Sequence, residues 1–123
     1  MPQASSKIER VSHRIDATDV PVGRLASRIA TLLIGKQKTT YAPNKDEGDI
    51  VYVTNVAKIR LTGKKEEQKK YRRYTGHQGG LRERSVKESL QKDPASVLQH
   101  AVKNMLPNTT HRAARLHRLH ITA

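Results

Sequence analysis

Asp19-Val20-Pro21-Val22-Gly23-Arg24-Leu25-Ala26-Ser27-Arg28-Ile29-Ala30-Thr31-Leu32-Leu33-Ile34-Gly35 is the stretch on which the fold turns. Val22, Leu25, Ala26, Ile29, Ala30 and Leu33 recur at helical spacing and make one apolar stripe, from which Arg24, Arg28 and Thr31 fall away. Asp19 is a candidate N-cap, Pro21 sits near the first helical position, and Gly35 suits a left-handed C-terminal cap. Upstream, Val11 to Thr18 holds a short strand candidate ending in Ile15-Asp16-Ala17. Downstream, beyond a polar loop over 37–49 with Pro43 and Gly48, comes the apolar run Ile50-Val51-Tyr52-Val53. Bounded by Gly48 and Asn55, that run predicts a strand buried on both faces, as in a parallel sheet.

Ile59 to Thr62 reads as a further short strand closed by Gly63, and the very basic Lys69 to Thr75 as an edge strand, where such charge is tolerated. A glycine-rich loop spans 76–80. Ser85 and Glu88 form a capping-box pattern ahead of a short helix from Val86 to Gln91. Asp93-Pro94 starts another helix, with Val97, Leu98, Ala101, Val102 and Met105 on one stripe and Pro107 marking its end. Thr110 to Leu116 suggests a last basic helical turn and Leu119 to Ile121 a terminal strand. The order predicts one α/β domain over 11–123, with helices covering a small, mostly parallel sheet, a basic C-terminal tail, and a flexible arm over 1–10.

Charge narrows the function. Lys and Arg number 24 against 11 Asp and Glu, a net charge of +13. Self-repulsion on this scale costs stability unless a polyanion neutralises it, so nucleic acid is the expected partner. No basic amphipathic helix with an exposed bulky apolar face points to a membrane surface, and no apolar run approaches the ~20 residues of a membrane span. The absence of cysteine excludes disulfides and thiolate metal sites and fits a reducing, cytoplasmic compartment. The only aromatics are Tyr41, Tyr52, Tyr71 and Tyr74, too few for a protein that stacks successive bases of a single strand. Recognition of folded RNA by shape and backbone is expected instead.

Enzymatic readings fail on spacing. Gly76-His77-Gln78-Gly79-Gly80 lacks the lysine and hydroxyl that follow a phosphate-cradling loop, and Gly63-Lys64-Lys65 has lysine without the loop. Glycine amides there suit close approach to an RNA phosphate. His111, His117 and His120 lie among Arg112, Arg115 and Arg118, whose charge opposes a cation. Asp16, Asp19, Asp46, Glu47 and Asp49 form no acid–base pair recognisable in sequence. No cofactor, metal or small-molecule substrate is expected.

The basic residues cluster. Lys64, Lys65, Lys69, Lys70, Arg72 and Arg73 lead into Arg82 and Arg84; Lys103, Arg112, Arg115 and Arg118 form a second group; Arg24, Arg28, Lys36 and Lys38 surround the first helix. Lysine offers a point charge to phosphate, whereas arginine adds a planar fork that grips two oxygens or stacks on a base.

Seven segments occur in one order: Asp16-Ala17-Thr18, Val22-Gly23-Arg24-Leu25-Ala26-Ser27, Gly35-Lys36, Gly48-Asp49, Leu61-Thr62-Gly63-Lys64, Tyr74-Thr75-Gly76-His77-Gln78-Gly79-Gly80 and Ala101-Val102-Lys103-Asn104-Met105-Leu106-Pro107. Together they resemble the bacterial form of the universal large-subunit ribosomal protein thirteen family, from about Arg14 to Pro107. The resemblance implies a three-layer α/β/α domain with a four-stranded parallel sheet. It also implies binding to large-subunit ribosomal RNA beside neighbouring ribosomal proteins, a part in early assembly, and no catalysis. By position, the family's RNA-facing motifs correspond to Arg24, Lys36, Lys64, His77, Gly79, Gly80 and Lys103. The residues themselves add Lys38, Lys65, Lys69, Lys70, Arg72, Arg73, Arg82, Arg84, Arg112, Arg115 and Arg118. Tyr74 stands where the family often has histidine, and after Pro107, where the family usually shows a Gly-Arg pair, this chain reads Asn108-Thr109-Thr110-His111-Arg112. A messenger-RNA-binding translational regulator is the alternative, and an RNA-processing enzyme using His77 a third reading.

Overall fold

A computed structural model describes residues 8–123; residues 1–7, most of the expected N-terminal arm, lie outside the described residues. Strand β1 (Ser12–Asp16) leads through helix α1 (Val22–Ile34) into strand β2 (Ile50–Thr54), which pairs with β1 in parallel. A 3₁₀ turn (Val56–Lys58) and a single-turn helix α2 (Lys65–Gln68) follow. Strands β3 (Lys70–Tyr74) and β4 (Leu81–Ser85) make an antiparallel hairpin of their own. Helices α3 (Val86–Lys92), α4 (Pro94–Met105) and α5 (Arg112–His117) then lead to strand β5 (Leu119–Ile121), which pairs in parallel with the other edge of β2. The main sheet therefore runs β1-β2-β5.

The α1 stripe does what its periodicity predicts. Leu25, Ile29 and Leu33 are buried and pack with Ile15, Val51 and Val53 of the sheet and with Leu98 and Val102 of α4. Gly35 takes φ 86° and returns its N–H to the Thr31 carbonyl, closing the helix as expected. The other end differs from expectation. Asp19 does not cap α1: it sits at φ 55°, and its carboxylate lies 3.9 Å from Arg60. The Val22 amide instead donates to the Arg60 carbonyl, so backbone pairing satisfies an N–H that a side-chain cap would otherwise serve. At α3 the Ser85 hydroxyl accepts from the Glu88 amide at 3.2 Å, as the capping pattern predicts.

Three strand expectations are corrected. β2 is not buried on both faces: Val51 and Val53 are fully buried, but Tyr52 between them is 40 % exposed. Strand side chains alternate, and the helices cover one face only at this point. Ile59 to Thr62 forms no strand; its sole pairing is one parallel bridge from Arg60 to Pro21, so the sheet among the described residues has three strands rather than four. Lys69 to Thr75 supplies β3, but in a separate sheet with β4. β4 went unforeseen because its sequence, Leu-Arg-Glu-Arg-Ser, has no apolar alternation.

Candidate nucleic-acid interface

The β3–β4 hairpin sorts its charges by face. Cross-strand partners share a face, so Tyr71 and Arg73 stand with Arg84 and Arg82, while Lys70, Arg72 and Tyr74 stand with Ser85, Glu83 and Leu81. Glu83 serves the second face, 3.1 Å from Arg72 and 4.0 Å from Lys70. The first face has no such relief. Arg73 lies directly opposite Arg82, with Arg84 next along, and among the described residues none of the three makes an ion pair. Like charges opposed across strands repel. This face borders a cleft of roughly 800 Å³ between the hairpin, α3 and α4, lined also by Arg72, Glu83, Glu88, Ser96 and His100. Tyr71 anchors its floor, edge-on to His100 at 4.8 Å with the Lys69 ammonium 5.7 Å from the ring. Burial there raises the Tyr71 hydroxyl above its ordinary pKa of 10.0.

The turn that joins the strands is built from glycine for internal reasons. Gly76 and Gly79 take φ of 83° and 74°. The Gly80 amide donates to the His77 carbonyl, and a Cβ at Gly80 would lie 1.9 Å from the Thr75 hydroxyl. Gly80 is buried by its own loop, whereas Gly79 is open. His77 is exposed, and its ring Nδ1 lies 2.8 Å from the Gln78 carbonyl. Among the described residues no three histidine or acidic side chains converge as a metal site, and His111, His117 and His120 do not meet.

Four basic residues singled out in sequence are committed inside the molecule. Arg118 grips Asp46 with two bonds of 2.7 and 2.8 Å and also donates to the Leu33 carbonyl. Arg115 is buried, 3.6 Å from the same carboxylate, and Arg10 approaches it at 3.9 Å. Lys38 is held by Asp49 at 2.8 Å and by the carbonyls of Glu9 and Glu47. Arg112 caps α4 by donating to the Lys103 carbonyl. The i, i+3, i+6 spacing of 112, 115 and 118 is the signal for one inward stripe, but no carboxylate near them in sequence revealed the partner. Burial alone would raise the Asp46 and Asp49 carboxyls. Arg118 at Asp46, and Lys38 with His13 at Asp49, outweigh it and hold both below their ordinary 3.8.

Residues 10–123 match the family model described as "Ribosomal protein L13". The chain belongs to the ribosomal protein L13 family. It is 53 % identical to "Large ribosomal subunit protein uL13" of Thermobifida fusca over 105 residues, 85 % of this chain and 70 % of the relative. It is 48 % identical to the protein of that name from Finegoldia magna, with coverage of 84 % and 72 %. To that of Roseiflexus sp. it is 47 % identical, with coverage of 98 % and 83 %. In this L13 family member the residues carried over from the family motifs are scattered over several elements. Arg24 is exposed in the first turn of α1, Lys36 follows its C-terminal cap, Lys64 precedes α2, and Lys103 is exposed near the end of α4. Lys65 lies beside Lys64 on α2 and is exposed as well.

Proposed function

We propose that this chain is a structural constituent of the large ribosomal subunit that holds folded ribosomal RNA chiefly by the Tyr71-Arg73-Arg82-Arg84 face of its hairpin. One observation carries the reading: three guanidinium groups share a face on which, among the described residues, no carboxylate is paired with them. Opposed arginines weaken the hairpin, so a phosphate backbone supplies the compensating charge. Arg24, Lys36, Lys64, Lys65, Lys69 and Lys103 extend the contact, as do Lys70 and Arg72 more weakly because Glu83 shares them. His77 and Gly79 at the hairpin tip reach RNA; Gly80 shapes the loop behind them. Lys38, Arg112, Arg115 and Arg118 serve the fold. His77 serves here as a contact residue; among the described residues its ring is hydrogen-bonded only to the neighbouring Gln78 carbonyl.

Filter binding of the full chain to purified large-subunit RNA across a salt series tests this. Replacing Arg73, Arg82 and Arg84 with alanine lowers the slope of log affinity against log salt by about 0.7–0.9 per lost phosphate contact, so by roughly 2–3 in all. An unchanged slope in a variant that melts normally refutes the assignment of this face.

A further inference from the structure

Parallel sheets are ordinarily covered on both faces, yet one face of β1-β2-β5 is bare among the described residues. Strand register sets Arg14, Tyr52 and His120 side by side across all three strands on that face, and all three are exposed. Tyr52 and His120 stack at 4.9 Å between centroids with planes 18° apart. That stack uses one side of the tyrosine ring. The other side, toward Arg14, carries no cation: the only one placed over a ring among the described residues is Lys69 on Tyr71. Arg14 itself makes no ion pair and no side-chain hydrogen bond among the described residues.

Chemistry selects the occupant. An apolar helix would need an apolar floor, but the rows flanking this one are Ser12 with Ile50, and Asp16 with Thr54. Asp16 does not neutralise Arg14, because its carboxylate accepts from the Thr18 amide, the Thr18 hydroxyl and Asn55 at the end of β1. What remains is an aromatic ring exposed on one side, with an unpaired guanidinium beside it in a chain of net charge +13. We propose that this face is a second RNA contact that takes a single unstacked nucleotide, its base against Tyr52 on the side away from His120 and its phosphate on Arg14. Aromatic side chains on an open sheet are a general means of holding a splayed base, and the ring gives stacking while the guanidinium gives charge. The contact differs from the hairpin in kind: the hairpin grips phosphates, whereas this face needs an unpaired base. It rests on the ribosomal RNA reading above.

The test uses the full chain and purified large-subunit RNA. Tyr52→Ala and Arg14→Ala should each weaken binding by roughly tenfold, about 1.4 kcal/mol, while Tyr52→Phe keeps the affinity. Short-wave ultraviolet irradiation of the wild-type complex should attach a nucleotide to the peptide containing Tyr52. Unchanged affinity in Tyr52→Ala, with cross-links confined to the hairpin, overturns this proposal and leaves the hairpin reading intact. Failure of wild-type protein to retain the RNA at all overturns both. A dimer in solution that Tyr52→Ala dissociates would assign the face to a second copy and also overturn the proposal.

Discussion

Asp46→Ala removes the carboxylate at the centre of the C-terminal anchorage. In the folded protein Arg118 and Arg115 keep only about 12 % and 3 % of their side-chain surface in water, and Asp46 about 17 %. The substitution therefore strands guanidinium groups that water can barely reach. Breaking one side of a buried pair costs about 3–5 kcal/mol, because the partner charge stays behind. Arg118 still donates to the Leu33 carbonyl at 3.0 Å, so the lower end, about 3 kcal/mol, is the better figure. An unfolding entropy of about 2.1 cal/mol/K per residue over this chain makes each kcal/mol worth about 4 °C. The expected fall in Tm is thus about 12 °C by circular dichroism, with β5 amides losing exchange protection first. Asp46→Leu combined with Arg118→Met should recover much of the loss, since neither charge is then stranded. A fall below about 3 °C in Asp46→Ala would show that the buried guanidiniums do not depend on this carboxylate.

Acid should expose the same anchorage. Asp46 and Asp49 have folded pKa values held below 3.8, so their contribution is complete above that value and is lost as pH falls through their folded values. Wild-type Tm should drop on acidification below about 3.8 more steeply than that of Asp46→Ala, and parallel curves would contradict it. Gly48→Ala places a Cβ 1.6 Å from the Leu33 carbonyl oxygen, which the backbone must move to relieve. At about 2 kcal/mol or more of overpacking the melt should fall by about 8 °C, and an unchanged melt would place Gly48 elsewhere. Ile29→Asp buries an unpaired charge in the α1 stripe and should abolish the cooperative transition; a normal melt would remove Ile29 from the core.

Helix α1, the Ser85 cap of α3, the Val97, Leu98 and Val102 part of the α4 stripe and the short terminal strand were legible because each depends on neighbours within a few residues, whereas Met105, expected on that stripe, is exposed at the end of α4. Family membership was legible for a different reason: it rests on ordered segments, which survive without any knowledge of where they meet. The two faces of β2 were not legible. Ile50-Val51-Tyr52-Val53 reads as continuously apolar, and only the position of the helices shows that Tyr52 points away from them. The hairpin was half visible, since basic β3 reads as an edge strand while β4 carries no pattern that names its partner.

The residues by themselves determined the charge, the helix that anchors the core, and an RNA-binding family. Tertiary structure decided which cations remain available to a partner. Arg118 and Asp46 are far apart in the chain yet 2.7 Å apart in space, and Lys38 reaches Asp49 at 2.8 Å. Arg73, Arg82 and Arg84 meet instead on one face of the hairpin, where, among the described residues, no carboxylate pairs with them. A charge counts toward binding only after its internal partners are known. Those partners are set by strand register and long-range packing, which local spacing does not encode.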